Sequence, residues 1–151
     1  MRESVVPSPD QIEWDPNAPE AVLVYYEQNR AFLALNSYMD DEDTRCVVFC
    51  WNSVHHAQMS GPNDEARSGH RLYNFGLSSL LWMGIVECSS LMHYLERQNS
   101  VHERHDPRRF EKLVHYILPL KEGTVEVLAE SLTIRRLGTS TREAAIIALN
   151  S

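Results

Sequence analysis

The sequence predicts an α+β fold, built mainly from an antiparallel bent sheet or partly open barrel of about six strands with two or three short helices. Apolar segments rich in β-branched and aromatic residues occur in pairs separated by turn residues, which is typical of β-hairpins. Strands and helices do not alternate regularly, so a parallel sheet is not expected. With 151 residues, the chain has the length of one ordinary domain and can bury a single core.

The N-terminal residues 1–20 are predicted to form an extended arm, and residues 21–151 a single globular domain. The arm contains four prolines among Asp, Glu and Ser, and it shows neither helical nor strand periodicity. Two alternatives remain open for it. Either Trp14 docks the arm onto the core, or the arm is a mobile tail.

The first half of the domain is predicted to be mostly strand. Residues 22–26 and 31–35 form a hairpin, in which Asn29 tolerates a left-handed turn conformation. A third strand, over 46–54, begins with buried residues and ends with polar ones. The long connection over 60–80 is expected to hold one short helix around 64–73, with Asn63 or Asp64 as its N-cap.

The second half combines one further strand, a hairpin and two helices. A strand over 83–88 precedes a helix that Ser89 or Ser90 caps and that continues to about residue 98. The clearest hairpin pairs 113–118 with 124–129, because Gly123 in the intervening turn can adopt a positive φ. Ser140 and Glu143 have the spacing of a capping box, which predicts a short helix over 144–149.

Composition disfavours several classes of partner. The chain has 43% hydrophobic and 23% charged residues, and its formal net charge is −7. This charge works against binding to nucleic acid or to an anionic membrane. The three cysteines cannot all pair, and Cys46 and Cys50 on one strand would lie about 13 Å apart, beyond disulfide reach. Because the sequence also shows no leader and no long apolar run, we expect a reduced, cytoplasmic location.

Candidate catalytic residues are Glu65, His70, Glu87 and His115. Glu65 and His70 follow a turn signal at Gly61-Pro62-Asn63-Asp64-Glu65, and a carboxylate can orient an imidazole for acid-base work. The alternative is that the acidic residues simply begin a helix. Glu87 interrupts an apolar strand, so it is either paired and perturbed or exposed to solvent.

His115 lies on the predicted strand over 113–118, with its ring on the same face as Leu113 and Ile117. Pairing across the following turn brings Glu126 within one or two positions of His115, which is close enough for a side-chain contact. We therefore expect a neutral or carboxylate-paired histidine, whose role is either structural or functional.

Metal binding is disfavoured, although the chain has seven histidines. His102 and His105 are separated by three positions, whereas the metalloprotease pattern needs four. His55 and His56 are adjacent, so on a strand they point to opposite faces. No cysteine is a convincing nucleophile, and no glycine-rich phosphate motif occurs. We expect no metal and no cofactor.

The chain resembles a group of bacterial proteins of unassigned function. The resemblance covers roughly residues 60–130 and implies a bacterial, intracellular, single-domain protein, without supplying a reaction, cofactor or substrate. The matching residues are Gly61-Pro62-Asn63-Asp64-Glu65 with His70, Leu72, Tyr73, Gly76 and Leu77; Ser89-Ser90 with Arg97-Gln98-Asn99 and His102; and His115-Tyr116-Ile117 with Thr124 and Glu126.

Two functions fit these patterns. The first is a noncatalytic binding or accessory protein that contacts a small-molecule ligand or a protein partner through residues 60–77, hereafter the 60–77 loop. The second is a small cofactor-independent enzyme that uses Glu65 and His70 in a pocket under this loop. A homodimer is left open. An enzyme should enclose a cavity with convergent polar groups, whereas a protein-binding module should expose an apolar patch.

Overall fold

The structure is a computed structural model that describes residues 2–151, and an open antiparallel sheet of seven strands dominates it. The strand order across the sheet is β1-β5-β6-β7-β4-β3-β2. The strands are β1 (Ser4–Pro7), β2 (Val22–Tyr26), β3 (Arg30–Leu35), β4 (Cys46–Ser60), β5 (Gly84–Glu87), β6 (Val114–Pro119) and β7 (Thr124–Leu137). The α-helices are α1 (Ser90–Asn99), α2 (Arg108–Glu111) and α3 (Thr141–Leu149).

The predicted α+β class and the antiparallel sheet are confirmed. Both predicted hairpins form, as β2–β3 and β6–β7. Two differences concern strand extent. β4 continues to Ser60, beyond the predicted end at residue 54, because it stays paired with β7 as far as Thr124. The seventh strand, β1, comes from the proline-rich arm and pairs with β5.

One side of the sheet, the tryptophan face, carries the largest apolar cluster. Trp14, Phe49, Trp51 and Val127 lie there with at most 1% of their surface exposed. Trp14 belongs to the N-terminal arm, and its ring makes edge contacts with Phe49 and Trp82. The residues around Trp14 therefore lie against the core.

The opposite side of the sheet, the helix face, is covered at its two ends by different segments. At one end, the alanines of α3 pack against Phe32, Val48 and Cys50. At the other end, Leu72 and Leu77 of the 60–77 loop pack in a smaller cluster that includes Ile117 of β6. Both clusters therefore lie on the helix face.

A β-bulge in β4 bends the sheet between these two ends. Ser53 has a φ of 53°, and the register with β7 shifts between Val54 and His56. An extra residue in one strand changes which side chains point to each face. Beyond the bulge, Gln58 pairs with Glu126, so both side chains belong to the helix face.

Across residues 2–151, every helix is too short or too polar to span a bilayer.

Candidate functional site

The 60–77 loop folds as a series of 3-10 turns across the helix face. Its first turn, Asp64–Gly69, begins at Asn63, whose side-chain oxygen accepts a hydrogen bond from the Ala66 amide. A cap of this kind satisfies an amide that the first turn would leave unpaired. Of the two predicted caps, Asn63 and Asp64, Asn63 is the one that the structure contains, although the turn is 3-10 and ends at Gly69, before residue 73.

Apolar side chains hold the middle of the loop against the sheet. Leu72 and Leu77 are 2% and 1% exposed, and they pack with Val5 and Ile117. Gly76 has a φ of 114°, and a Cβ at this position would lie 2.1 Å from the Val5 carbonyl oxygen. Only glycine fits this close approach without strain. The loop and the edge strand β1 therefore depend on each other for their positions.

Polar contacts fasten the start of the loop to the β6–β7 turn. The Asp64 amide donates to the Lys121 carbonyl at 3.1 Å, and Lys121 Nζ lies 2.9 Å from the Asp64 carboxylate. The Thr124 hydroxyl donates to the Pro62 carbonyl at 3.0 Å. The loop is therefore bonded to residues before and after Gly123 of the β6–β7 turn.

A buried polar network, the Glu126 cluster, lies beneath the loop. It consists of Glu126 with His115, His70, Arg71 and Gln58. Glu126 is 1% exposed, His115 1% and His70 8%. The Glu126 carboxylate accepts a hydrogen bond from His115 Nε2 at 2.8 Å and two from the Arg71 guanidinium at 3.0 and 2.6 Å. His70 Nε2 lies 3.6 Å and Gln58 Nε2 3.5 Å from the same carboxylate.

The hydrogen bonds around the two histidines assign their protons. His70 Nδ1 accepts from the Leu72 amide at 3.0 Å, so its Nε2 carries the proton that faces Glu126. The Ser89 hydroxyl oxygen accepts from the Met92 amide at 3.0 Å and lies 2.7 Å from His115 Nδ1. Because an ionised carboxylate can only accept hydrogen bonds, His115 Nε2 donates to Glu126. Glu126 therefore faces the protonated Nε2 atoms of both histidines.

The ionised form of Glu126 is strongly favoured in this cluster. Burial alone raises the pKa of Glu126, but the hydrogen bond from His115 and the contacts with His70 and Arg71 outweigh it and hold the pKa well below its usual range. The same carboxylate raises the pKa of Arg71, chiefly through their hydrogen bonds. The pair therefore stays charged at neutral pH.

The chain of groups Ser89, His115 and Glu126 has the hydrogen-bond order of a serine nucleophile, its base and an orienting carboxylate. Ser89 is the N-cap of α1, however, and it is only 5% exposed. Its oxygen already accepts the Met92 amide. In this arrangement the serine joins helix α1 to the Glu126 cluster.

Two of the four predicted site residues meet in the cluster, and two lie elsewhere. His70 and His115 both contact Glu126. Glu65 lies on the exposed outer side of the first 3-10 turn. Glu87 is exposed at the end of β5, where it pairs with Ser4 of the edge strand. The exposed alternative for Glu87 is therefore the one that the structure contains.

Sequence reasoning missed the central role of Glu126 and the contribution of Arg71. The hairpin pattern indicates Glu126 only as a neighbour of His115, although Glu126 interrupts the otherwise apolar run Val125-Glu126-Val127-Leu128. A carboxylate in such a run signals a buried ion pair once both faces of the strand are known to be covered. Arg71 gives no comparable signal, because it follows His70 in a polar loop.

A cavity of about 230 Å³ opens beside the start of the loop, apart from the Glu126 cluster. Apolar groups form most of its wall, and Lys121 and Glu122 contribute charged side chains. Gly123 also lies close to β4, since a Cβ there would be 2.9 Å from the Ser60 carbonyl oxygen. The lining residues are Ala18, Pro19, Ala21, Met59, Ser60, Gly61, Leu120, Lys121, Glu122 and Gly123.

Within residues 2–151, no three His, Cys, Asp or Glu side chains converge as a metal site requires. The cysteines Cys46, Cys50 and Cys88 are all free. The chain matches no protein-family model, and it has no significant similarity to any curated protein or solved structure.

Proposed function

We propose that this protein is a noncatalytic binding protein, and that a small, largely apolar ligand occupies the cavity at the start of the 60–77 loop. The observation that carries the proposal is that the polar groups under the loop are already paired with one another, whereas the neighbouring cavity is open and apolar. The polar side chains under the loop bond one another in the Glu126 cluster, whereas the nearby cavity is open and mostly apolar. Ligand pockets typically combine apolar walls with a few polar groups.

The arrangement of the predicted acid-base pair favours binding over catalysis. His70 is buried, with Nδ1 accepting the Leu72 amide and Nε2 facing Glu126. Glu65 is exposed on the outer side of the loop. A general base must reach the proton that it removes. A shared pocket for Glu65 and His70 would require the loop to leave the sheet.

The cavity is suited to a ligand of few heavy atoms. Met59, Leu120 and Ala21 offer apolar surface, and burying this surface against a ligand contributes roughly 25 cal/mol per Å². Lys121 already pairs with Asp64 at 2.9 Å, so an uncharged ligand does not have to supply a partner for its ammonium group. The start of the loop is fastened to the β6–β7 turn through Asp64 and Pro62, and a preorganised wall lowers the cost of binding.

The proposal is tested by titrating the ¹⁵N-labelled protein with 1-hexanol and with indole, and following the backbone amide resonances. We expect saturable shifts at Met59, Leu120 and Gly123, which line the cavity. Replacement Ala18→Trp places an indole ring at the cavity wall and should weaken binding at least tenfold.

The matched control is Ala66→Trp, because Ala66 is an exposed alanine of the same loop outside the cavity. This variant should bind both probes like the unaltered protein. Shifts that fail to saturate, or equal affinities in the Ala18→Trp and Ala66→Trp variants, would refute the proposed site.

A further inference from the structure

Ser89 lies in a strained turn between a strand and a helix. β5 ends at Glu87, Cys88 has a φ of 54°, and α1 begins at Ser90. A positive φ is uncommon for a residue other than glycine, and residues in such conformations cluster at functional sites. The order of strand, strained turn and helix is also the local geometry that presents the nucleophilic serine of α/β-hydrolases. The backbone around Ser89 therefore has the local form of a serine nucleophile.

The side chains that contact Ser89 complete the arrangement that activates a serine. Ser89 Oγ lies 2.7 Å from His115 Nδ1, and His115 Nε2 lies 2.8 Å from the Glu126 carboxylate. Because the Nε2 proton faces Glu126, Nδ1 of the neutral imidazole is an acceptor for the Ser89 proton. The ring nitrogens have the reverse assignment to that of the chymotrypsin triad, but the path of the proton is the same. His115 is thus placed as a base, and Glu126 stabilises the imidazolium that forms.

The start of α1 supplies donors for the negative charge that develops when a serine attacks a carbonyl group. The Met92 amide donates to Ser89 Oγ at 3.0 Å, which stabilises this oxygen as it loses its proton. In serine hydrolases, the amide of the residue after the nucleophile donates to the carbonyl oxygen of the substrate. The corresponding amide here is that of Ser90, the first residue of α1.

Glu3 of the N-terminal arm occupies the Ser90 amide in the structure. Glu3 Oε2 accepts from this amide at 2.7 Å, and both carboxylate oxygens accept from the Ser90 hydroxyl at 3.0 Å. The pKa of Arg71 is raised chiefly by its hydrogen bonds to Glu126 and additionally by the charge of Glu3, so Glu3 also lies near the Glu126 cluster. A carboxylate oxygen is therefore bound where the carbonyl oxygen of an ester would be held.

We propose that Ser89 is a nucleophile that accepts an acyl group from an activated ester, with His115 as its base, and that Glu3 shields this site by holding the Ser90 amide. Displacement of the Glu3 side chain frees the donor. The inference concerns one covalent step at the start of α1. It goes beyond ligand binding in the cavity, whose wall contains none of these residues.

The covalent step is an acyl transfer to the Ser89 hydroxyl. Ser89 Oγ forms a bond to the carbonyl carbon of the ester, and its proton passes to His115 Nδ1. The carbonyl oxygen becomes an oxyanion that accepts from the Ser90 amide. When the carbonyl double bond forms again, the bond to the leaving alkoxide or phenolate breaks, and His115 releases the proton to the leaving group or to water. The products are acyl-Ser89 and the free alcohol or phenol.

The proposal is tested with p-nitrophenyl acetate, by following the absorbance of the released p-nitrophenolate and by locating the acetyl group with tandem mass spectrometry. In the unaltered chain, we expect Ser89 to be acetylated at least tenfold faster than Ser90. Ser90 is the matched comparison, because it is the adjacent and more exposed serine and its hydroxyl bonds Glu3 rather than a histidine. Glu3→Ala should accelerate acetylation of Ser89 at least fivefold. Glu13→Ala removes an exposed carboxylate of the same arm and should not.

The role of His115 is tested by a readout that a loss of stability alone would not change. His115→Gln should slow acetylation of Ser89 at least tenfold, under conditions where the variant is folded, and should leave acetylation of the exposed Lys112 unchanged. Absence of acetyl-Ser89 in both the unaltered chain and the Glu3→Ala variant would overturn the proposal. Equal labelling of Ser89 and Ser90, or an unchanged rate in His115→Gln, would overturn it as well. A rate that Glu3→Ala leaves unaltered would exclude shielding by Glu3.

Discussion

Glu126 carries a full charge at a position almost without contact with water, and its neighbours explain why this is tolerated. The Arg71 guanidinium donates two hydrogen bonds to it, and His115 donates a third. A buried charge that loses one partner costs far more than the intact pair contributes. Replacing a single residue of the Glu126 cluster should therefore lower the free energy of unfolding by more than the intact cluster contributes to it.

His115→Gln should lower the free energy of unfolding by roughly 1–3 kcal/mol, because it disrupts buried hydrogen bonds to Glu126 and Ser89. Urea unfolding measures the change. Affinity for 1-hexanol should be unaffected, since His115 is not part of the cavity wall. The control His93→Gln replaces an exposed histidine and should leave stability unchanged. Lost ligand binding with an unaltered melting temperature would contradict the structural role.

The lowered pKa of Glu126 makes stability depend on pH in the acid range. The unfolded state has a carboxyl pKa of about 4.3, and the folded state has a lower one, so the unfolded state binds more protons as the pH falls. The contribution of Glu126 is therefore complete above about pH 5 and is lost as the pH decreases from there towards the folded pKa.

Urea unfolding between pH 7 and pH 2 should show this loss, and Glu126→Gln should flatten the curve below about pH 5 while lowering stability at pH 7. The comparison Glu65→Gln removes an exposed carboxylate of the same loop. If this control flattened the acid limb as much as Glu126→Gln, the assignment to Glu126 would be wrong.

At the scale of elements, the 60–77 loop behaves as a packed part of the fold. Leu72 and Leu77 are buried against β1 and β6 residues, and Arg71 and Asp64 tie the loop to β7 and its turn. Its amides should accordingly exchange slowly with solvent where they are hydrogen-bonded, as at Leu72 and Leu77. Fast exchange throughout the loop would contradict this packing.

Gly76→Ala should destabilise the protein by about 2–3 kcal/mol, since the new methyl group would collide with the Val5 carbonyl and would require a positive φ at alanine. Thermal or urea unfolding measures this change. Gly69→Ala is the matched control, because a Cβ at Gly69 meets no atom within 4 Å. Similar losses in both variants would show that the contact with β1 is not the cause.

At the scale of the whole molecule, the N-terminal arm completes the fold at two separate places. Residues Ser4–Pro7 extend one edge of the sheet beside β5. Trp14 then fills the tryptophan face, with 1% of its surface exposed. A segment that contributes both a strand and a core tryptophan is coupled to the global stability of the domain.

Trp14→Ala should lower the free energy of unfolding by about 3–5 kcal/mol, the usual cost of removing a buried aromatic side chain. Urea unfolding followed by circular dichroism measures it. Met39→Ala truncates a side chain that is 83% exposed and should change stability by less than about 0.5 kcal/mol. A loss for Trp14→Ala no larger than that of Met39→Ala would mean that the arm is dispensable.

The sequence by itself determined the features that depend on neighbouring residues. Helix caps are predicted at Ser89 or Ser90, at Asn63 or Asp64, and at Ser140. In the structure Ser89, Asn63 and Ser140 are the caps, and each accepts a hydrogen bond from an amide three residues later. Both hairpins were predicted because their turns join strands that are adjacent in the chain. The contact between His115 and Glu126 followed from the same local logic, since a hairpin register links residues 11 positions apart.

Only the tertiary structure decided the features that join distant segments. β1 pairs Val5 with Val86, a partner that no local pattern in a proline-rich arm can indicate. Arg71 reaches Glu126 across 55 positions, and Ser89 reaches His115 across 26. The physical reason is that a buried charge selects its partners by the geometry of the folded core, where desolvation makes an unpaired group costly. Patterns of nearby residues specify helices and hairpins, but they carry no information on which side chains meet once these elements pack.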